Sequence, residues 1–394
     1  MAPENSSHSL QRVVIAGGGF AAVEAALALT ALASDRVQVT LLAPDAVFHY
    51  RPAATTESFD VAPTRAYDLQ TIAADIGASY HRGRLEAVAS RKRWARTAAG
   101  ARLQYDRLIL ATGARPVARV PGAITFRDQR DVSKLRHMVA EVETGVVRRV
   151  VFALPAGTVW PLPLYELALM SARRAKERGM TLDCSVVSPE ETPLAIFGQL
   201  ASQLVGEVLE DAGVRFIGSS VAVQVRRDGS LGLRDGERIR ADRVVALPEL
   251  RGRRITGVPA NPSGFVPADA SGRVEGLRNV YAAGDLTTFP IKQGGLAAQQ
   301  ADVVAHTLAE ELGAPVKQVR TPQVMRARLV GGERPLFLRT EFDWSGRPTT
   351  AALEGAGDEQ AANAAKVLGR YLVPYLETRE PLSEGRSRRQ VRAA

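Results

Sequence analysis

Val13-Val14-Ile15-Ala16-Gly17-Gly18-Gly19-Phe20-Ala21-Ala22 is the stretch on which the fold turns. A short β-rich run, residues 12–16, ends in glycines, and residues 21–33 are rich in strong helix formers. Residues 37–42 are the next expected strand, so strand, helix and strand fit within about 30 residues, as a dinucleotide-binding half requires. Each small residue in the turn has a physical task. Gly17 makes the tight turn out of the strand, Gly19 lets backbone approach a diphosphate, and Ala22 allows close helix–strand packing. The helix N-terminus then stabilises negative charge. A glycine-rich turn without a ligand is the alternative reading. The acidic residue that usually follows the second strand and binds the adenosine ribose is absent, because Val39-Thr40-Leu41-Leu42 runs into Ala43. Asp45, two residues on, either substitutes for it or caps the following loop.

Two later stretches strengthen the reading in series: Tyr105-Asp106-Arg107-Leu108-Ile109-Leu110-Ala111-Thr112-Gly113-Ala114-Arg115-Pro116, and Asn279-Val280-Tyr281-Ala282-Ala283-Gly284-Asp285. With these three motifs, in this order, the chain resembles the FAD-dependent pyridine nucleotide-disulfide oxidoreductase superfamily over about residues 12–312. The resemblance implies that Ala111, Thr112 and Gly113 pack beside the cofactor and that Asp285, after Gly284, hydrogen-bonds the ribityl or diphosphate portion of FAD. It also counts Phe20, Ala21 and Leu85 among the cofactor contacts. Phe48-His49-Tyr50-Arg51-Pro52 is similar to the loop lining the isoalloxazine ring in the group of type II NADH dehydrogenases and sulfide:quinone oxidoreductases. There Arg51 is the candidate diphosphate contact, and His49 is either a proton relay or a structural histidine.

Phe289-Pro290-Ile291-Lys292-Gln293-Gly294-Gly295-Leu296-Ala297-Ala298-Gln299-Gln300-Ala301 looks like the matching loop of the same group. Gly294 and Gly295 open a helix, so free N–H groups and a positive dipole end would meet charge at the flavin N1/O2 edge, with Gln293 beside them. Lys292 either adds a cation at that edge or is solvated. In the relatives this region faces the quinone, which makes Gln299 and Gln300 candidates for that role or for the helix surface.

A second strand–helix–strand unit spans roughly 149–187, followed by a helix over 198–212 and strands and hairpins over 214–247. Its phosphate turn is degenerate: Val150-Val151-Phe152-Ala153-Leu154 leads into Pro155-Ala156-Gly157-Thr158-Val159-Trp160-Pro161-Leu162-Pro163. Proline removes N–H donors and Trp160 adds bulk where a nucleotide must approach closely. The helix beginning with Tyr165-Glu166 is similar to that of sulfide dehydrogenase flavoproteins, which do not bind NADH. Glu166 is a candidate catalytic residue or a carboxylate complementing the helix dipole. Sulfide chemistry through a disulfide meets a separate obstacle, because Cys184 is the single cysteine in the chain.

The expected fold class is α/β: two Rossmann-like units, the second inserted in the first, and a small C-terminal α+β element. The FAD-binding unit takes 10–118 and 254–314, the second unit 119–253, and the C-terminal element 315–394, with a hairpin over 323–341, a Gly/Ala-rich connector and a helix near 361–376. The composition is that of an ordinary globular protein, 45% hydrophobic and 24% charged. The net charge of +9 comes almost entirely from arginine, with only six lysines, and no basic helix interleaved with aromatics argues for nucleic-acid binding. The polar leader before Arg12 lacks the apolar core of a secretory signal, so the expected location is cytoplasmic. Arg386, Arg388, Arg389 and Arg392 leave peripheral contact with the inner face of a membrane open beside a solvated tail, as is a homodimer. The expected reaction is two-electron flavin chemistry between a small-molecule donor and a quinone or other acceptor, with no metal. An NAD(P)H:acceptor oxidoreductase with an atypical nucleotide site and a non-catalytic FAD-binding redox sensor or partner-binding protein are the alternatives.

Overall fold

The computed structural model describes residues 9–157, 159–316, 323–356, 367 and 369–383, with backbone alone for 350–356. Its first sheet has five parallel strands in the order Val280–Ala282, Arg107–Leu110, Gln11–Ala16, Val37–Ala43, Ser79–Arg82. The chain moves outward from the central strand on one side, then returns to its other side. That reversal opens a crevice at the carboxyl ends of Gln11–Ala16 and Arg107–Leu110, where ligands of doubly wound sheets bind. The unbroken apolar run Val13-Val14-Ile15-Ala16 is needed because both sheet faces are covered. Val13 and Ile15 pack under the helices Phe20–Ala33 and Gly294–Glu311, while Val14 and Ala16 meet the antiparallel sheet of Leu85–Ala89, Trp94–Thr97 and Arg102–Gln104.

The second sheet is parallel too, in the order Ile124–Thr125, Arg243–Ala246, Arg149–Ala153, Asp183–Val187, Val214–Ile217. Val132–Glu143, Leu162–Glu177 and Gln199–Asp211 are its helices, and a small antiparallel sheet covers the opposite face. Cys184 is fully buried in the strand Asp183–Val187, a small apolar core residue. The two passages between the sheets pair with each other, Arg115–Val117 running antiparallel to Glu249–Arg251. After the second passage the chain adds Val280–Ala282 to the edge of the first sheet, which is therefore built from both ends of the sequence.

The C-terminal sheet has three strands, Gln323–Leu329, Leu336–Phe342 and Pro348–Ala356. The third corrects the expectation of a Gly/Ala-rich connector: backbone pairing along the neighbouring strand outweighs the weak β propensity of those residues. Met325, Leu329, Leu336, Leu338 and Phe342 join the core formed by the helices of the second unit. Contact there is close, since a Cβ on Gly331 would lie 2.7 Å from Leu169 Cβ. The helix expected near 361–376 is described only in its last part. Residues 361–366 and 368 lie outside the described residues, and the helix present is Leu372–Glu377. The leader 1–8 and the basic cluster from Arg386 to Arg392 lie outside them as well. Among the described residues no helix is long and apolar enough to cross a membrane.

Candidate functional site

Three backbone hydrogen bonds draw the motif ends together. Gly17 N–H donates to Leu42 O at 2.8 Å, Ala111 N–H to Ala16 O at 2.8 Å, and Ala283 N–H to Leu110 O at 3.0 Å. Gly17, Ala111 and Gly284 thus stand side by side at the switch point. Gly17 has φ +150°, and a Cβ there would lie 2.1 Å from Ala111 O, so only glycine permits the strands to close. Gly284 (φ +78°) is wedged between the two long helices, where an added Cβ would be 3.1 Å from both Ala21 Cβ and Ala297 Cβ.

The helix Phe20–Ala33 starts at Gly19, whose backbone is extended and which has no side-chain cap. Its first amides therefore point into the crevice without side-chain acceptors, as anion binding at a helix N-terminus requires. Phe20 is held edge-on by Phe48 (5.2 Å between centroids) and Tyr50 (5.7 Å). Thr112 Oγ1 is buried with no partner among the described residues, a polar group one loop away from the same turn. Gly113 sits in the left-handed region at φ +67°, with open space where a Cβ would be. Leu85 is buried at the head of its strand, whereas Asp45 and Arg51 lie on the exposed rim. Burial, and then the Arg51 charge, hold His49 below the usual histidine range, so it is neutral near pH 7. Asp285, raised by burial against the pull of Lys292 and Arg51, stands at the mouth of the 3-10 turn Gly284–Leu286.

Lys292 is 3% exposed, and its ammonium donates to Thr287 O at 2.6 Å and to Phe289 O, with the Phe265 ring 4.1 Å away. The solvated reading is thereby corrected: the cation braces the loop between Asp285 and the helix Gly294–Glu311. Burial depresses its pKa to about 8, opposed by Asp285. Lys292→Met is expected to lower stability by about 1–3 kcal/mol, because two carbonyls lose their donor. A depressed folded-state lysine pKa makes the wild type gain stability as pH rises from about 8 towards the unfolded value near 10.5, and the variant should lack that gain in pH-dependent urea melts. Gln293 caps the helix by accepting from Leu296 N–H at 2.9 Å, so Gly294 and Gly295 supply the remaining amides of the first turn.

Gln299 and Gln300 both bond to backbone. Gln299 clasps the first C-terminal strand, donating to Val324 O (2.7 Å) and accepting from Val324 N–H (2.8 Å), and Gln300 accepts from Gly284 N–H at 2.9 Å. Both groups of the Gln299 amide and the Gln300 oxygen are bonded to backbone that packing brings to them, which sequence spacing does not reveal. Glu166 is 1% exposed and accepts from Thr55 Oγ1 at 2.9 Å across the two units, close to the N-terminus of its helix. Arg136 and Arg174 donate to Glu57 O (3.0 Å) and Phe59 O (2.6 Å), so three side chains of the second unit grip residues 55–59.

At the carboxyl ends of the second sheet several side chains of the unit meet one another. Trp160 lies 6.2 Å from Phe197, and Tyr165, 0% exposed, stacks on Phe216 and donates to Glu190 at 2.7 Å. Glu190 stands three residues beyond the second strand, near where a ribose-binding carboxylate is needed, but it also accepts from Ser188 Oγ at 2.9 Å. Gly157 abuts Glu249, which is paired with Arg119 and Arg251. The Tyr165–Glu190 pair was missed in the sequence; a tyrosine in the first helical turn and an acid just past the next strand are the signal that could have found it.

A model of the pyridine nucleotide-disulphide oxidoreductase family matches residues 11–302. The NADH-dependent phenylglyoxylate dehydrogenase subunit epsilon of Aromatoleum evansii is 27% identical over 244 residues, 59% of this chain and 54% of that protein, so the chain spans about half the length of that relative. Among solved structures, the sulfide:quinone oxidoreductase of Aquifex aeolicus superposes with a TM-score of 0.75 at 19% identity, over 84% of each chain. The ferredoxin reductase for the CYP199A2 system of Rhodopseudomonas palustris gives 0.66 at 19%, again over 84% of each. At these identities the likeness to solved structures is one of fold. Gly17, the uncapped helix start and the orphaned Thr112 hydroxyl are what an FAD diphosphate and its neighbours need. With its motifs gathered at one switch point and the family model spanning both sheets, the chain belongs to the pyridine nucleotide-disulphide oxidoreductase family, and with it to the FAD-dependent oxidoreductases.

Proposed function

We propose that the protein uses FAD, bound by residues 10–118 and 254–314, to pass two electrons from a donor other than NAD(P)H to a quinone or another acceptor, in the manner of the sulfide:quinone oxidoreductase-like group. The observation that supports this reading lies in residues 119–253: Tyr165 and Glu190 are bonded to each other and Trp160 packs on Phe197, beside a turn after the first strand that carries prolines and a single glycine. FAD, when bound, supplies two-electron redox chemistry at its isoalloxazine ring. Gly17 and Gly19 admit its diphosphate to the helix start, with Phe20 and Ala21 in the first turn. Ala111, Thr112, Gly113 and Leu85 line the crevice, Asp285 and Gly284 orient the ribityl chain, and Gly294 and Gly295 present amides to the ring edge. Lys292 and Gln293 keep that loop in shape. Arg51 and Asp45 flank the adenosine half, and Glu166 holds Thr55 and its loop against the second unit. A disulfide relay within this chain is ruled out by stoichiometry, since Cys184 is alone and buried.

A second reading, an NAD(P)H:acceptor oxidoreductase with an atypical nucleotide site, draws on the name of the Aromatoleum relative, an NADH-dependent subunit. Anaerobic mixing of the yellow protein with NADH, NADPH, sulfide and reduced quinones, with flavin bleaching as the readout, decides between them. Saturable bleaching by NADH sinks the first reading. Bleaching by a non-nicotinamide donor alone supports it, and no bleaching by any donor favours an FAD-binding protein without turnover.

A further inference from the structure

Residues 48–59 belong to two cores. Phe48 and Tyr50 meet the ring of Phe20, in the first turn of the helix Phe20–Ala33, and Tyr50 N–H donates to Arg65 O at 2.8 Å. Ala54 and Phe59, 2% and 3% exposed, lie instead in the core of the second unit with Val132, Leu135 and Leu162. The link is a single turn of helix, Ala54–Glu57, preceded by the 3-10 turn Arg51–Ala53. One turn is too short to hold itself in water, since nucleation fixes several residues for one hydrogen bond. Its support comes from two helices of the second unit. Arg136, on Val132–Glu143, donates to Glu57 O at 3.0 Å and pairs with Asp60 at 2.9 Å. Arg174, on Leu162–Glu177, donates to Phe59 O at 2.6 Å and is itself held by Glu143 at 3.3 Å. Both cations sit at the carboxyl end of the turn, where the helix dipole and the last carbonyls favour positive charge. Asp60, with φ +58°, then turns the chain away.

A close-packed segment anchored at both ends transmits position from one end to the other. One end here is the loop Phe48-His49-Tyr50, beside the turn at Gly19 and Phe20, and the other is clamped by the second unit. We propose that residues 48–59 are a strut through which the second unit sets the position of that loop against the flavin, with Arg136 and Arg174 as its positioning residues. The inference rests on the FAD reading for what the loop touches, and on the contacts above for the strut itself. The two arginine side chains are 41% and 26% exposed, so removing them loosens the strut without emptying a packed site. What is lost is two charge-assisted hydrogen bonds to backbone carbonyls and the pair with Asp60. A unit whose phosphate turn is degenerate thereby keeps a task at the flavin.

The test compares the full-length wild type with Arg136→Met/Arg174→Met, with Arg136→Lys/Arg174→Lys as charge-preserving rescue. Arg173→Gln is the surface control, since Arg173 pairs with Glu177 on the same helix as Arg174. Two readouts are taken: hydrogen exchange of the amides of residues 50–60, and the fluorescence and visible absorption of bound flavin. In the Met variant those amides are expected to exchange on the order of tenfold faster while the strand Gln11–Ala16 keeps its protection. Flavin fluorescence rises and the visible bands shift, and the Lys variant recovers part of both changes. The two single Met variants are measured alongside, so a double variant that does not fold leaves the comparison in place. Unchanged exchange of residues 50–60 overturns the strut. Faster exchange with an unchanged flavin spectrum overturns the positioning role. A wild type that takes up no FAD overturns the FAD reading instead, and hydrogen exchange on that protein still tests the strut.

Discussion

Gly17→Ala is expected to yield a protein without flavin and less stable by about 3 kcal/mol, because an overpacked turn and an unfavourable backbone act together. The added methyl would lie 2.1 Å from Ala111 O and 2.6 Å from Ala111 C, both backbone atoms of the neighbouring strand end. No rotamer relieves that contact, and φ +150° is a region that side-chain-bearing residues rarely adopt. The strand pair Gln11–Ala16 and Arg107–Leu110 must separate at its carboxyl end, where the crevice lies. Gly19→Ala is the control. Its Cβ meets nothing within 4 Å and its φ of −102° suits any residue, so the variant should fold with nearly wild-type stability. A loss of FAD affinity in that variant of tenfold or more then reports close approach of the ligand rather than damage to the fold. Urea melts and flavin absorbance of the two purified variants separate the effects, and a flavin-replete Gly17→Ala protein would refute the account.

The second large effect concerns Glu24, a charged residue 0% exposed in the middle of the helix Phe20–Ala33. Its carboxylate accepts from Tyr371 N–H at 3.0 Å and Leu372 N–H at 2.7 Å, holding the start of the C-terminal helix against the FAD-binding unit. Leu372 and Leu376 pack beneath, Tyr375 donates to Asp75 at 2.6 Å, and Val367 reaches Gly294, where a Cβ would be 3.2 Å from it. Burial raises the Glu24 pKa to about 7, with the nearby Asp302 adding to the rise and the two amides opposing it. The folded state thus holds the proton more tightly than the unfolded state. The stability contribution is complete below about pH 4.5, falls as pH rises through about 7, and is level above that, a span of about 3 kcal/mol. Glu24→Gln should remove this slope from the difference between the two proteins' pH–stability curves. Glu24→Ala leaves two amides unpaired and a cavity, and is expected to cost about 3 kcal/mol and to open residues 367–383 to proteolysis. Equal pH slopes in wild type and Glu24→Gln would show that this carboxylate does not titrate across that range.

Much of the site was legible because its signals are local. The Gly17–Gly19 turn, Ala111 to Gly113 and Gly284-Asp285 each sit between a strand and a turn or helix, and a short backbone motif is specified by the few residues that form it. The degenerate loop after Leu154 was readable for the same reason: proline and tryptophan cannot make a close, donor-rich turn. Lys292, Gln299, Gln300 and Glu166 were misjudged or left open because their partners are remote: Gln299 meets Val324, Gln300 meets Gly284, and Glu166 meets Thr55, 111 positions away. A long polar side chain near a cofactor loop looks the same in sequence whether it faces a ligand or a carbonyl.

The sequence alone determined the fold class, from hydrophobic period and from glycines whose missing side chains are a local geometric demand, and the family resemblance of its three motifs implied the flavin. Tertiary structure decided the rest. It stacked Tyr165 on Phe216 and bonded it to Glu190 in the second unit, and it turned Lys292 inward to brace its loop. The physical reason is that a turn is fixed by neighbours in the chain, while a buried hydrogen bond or a charge cluster is fixed by neighbours in space.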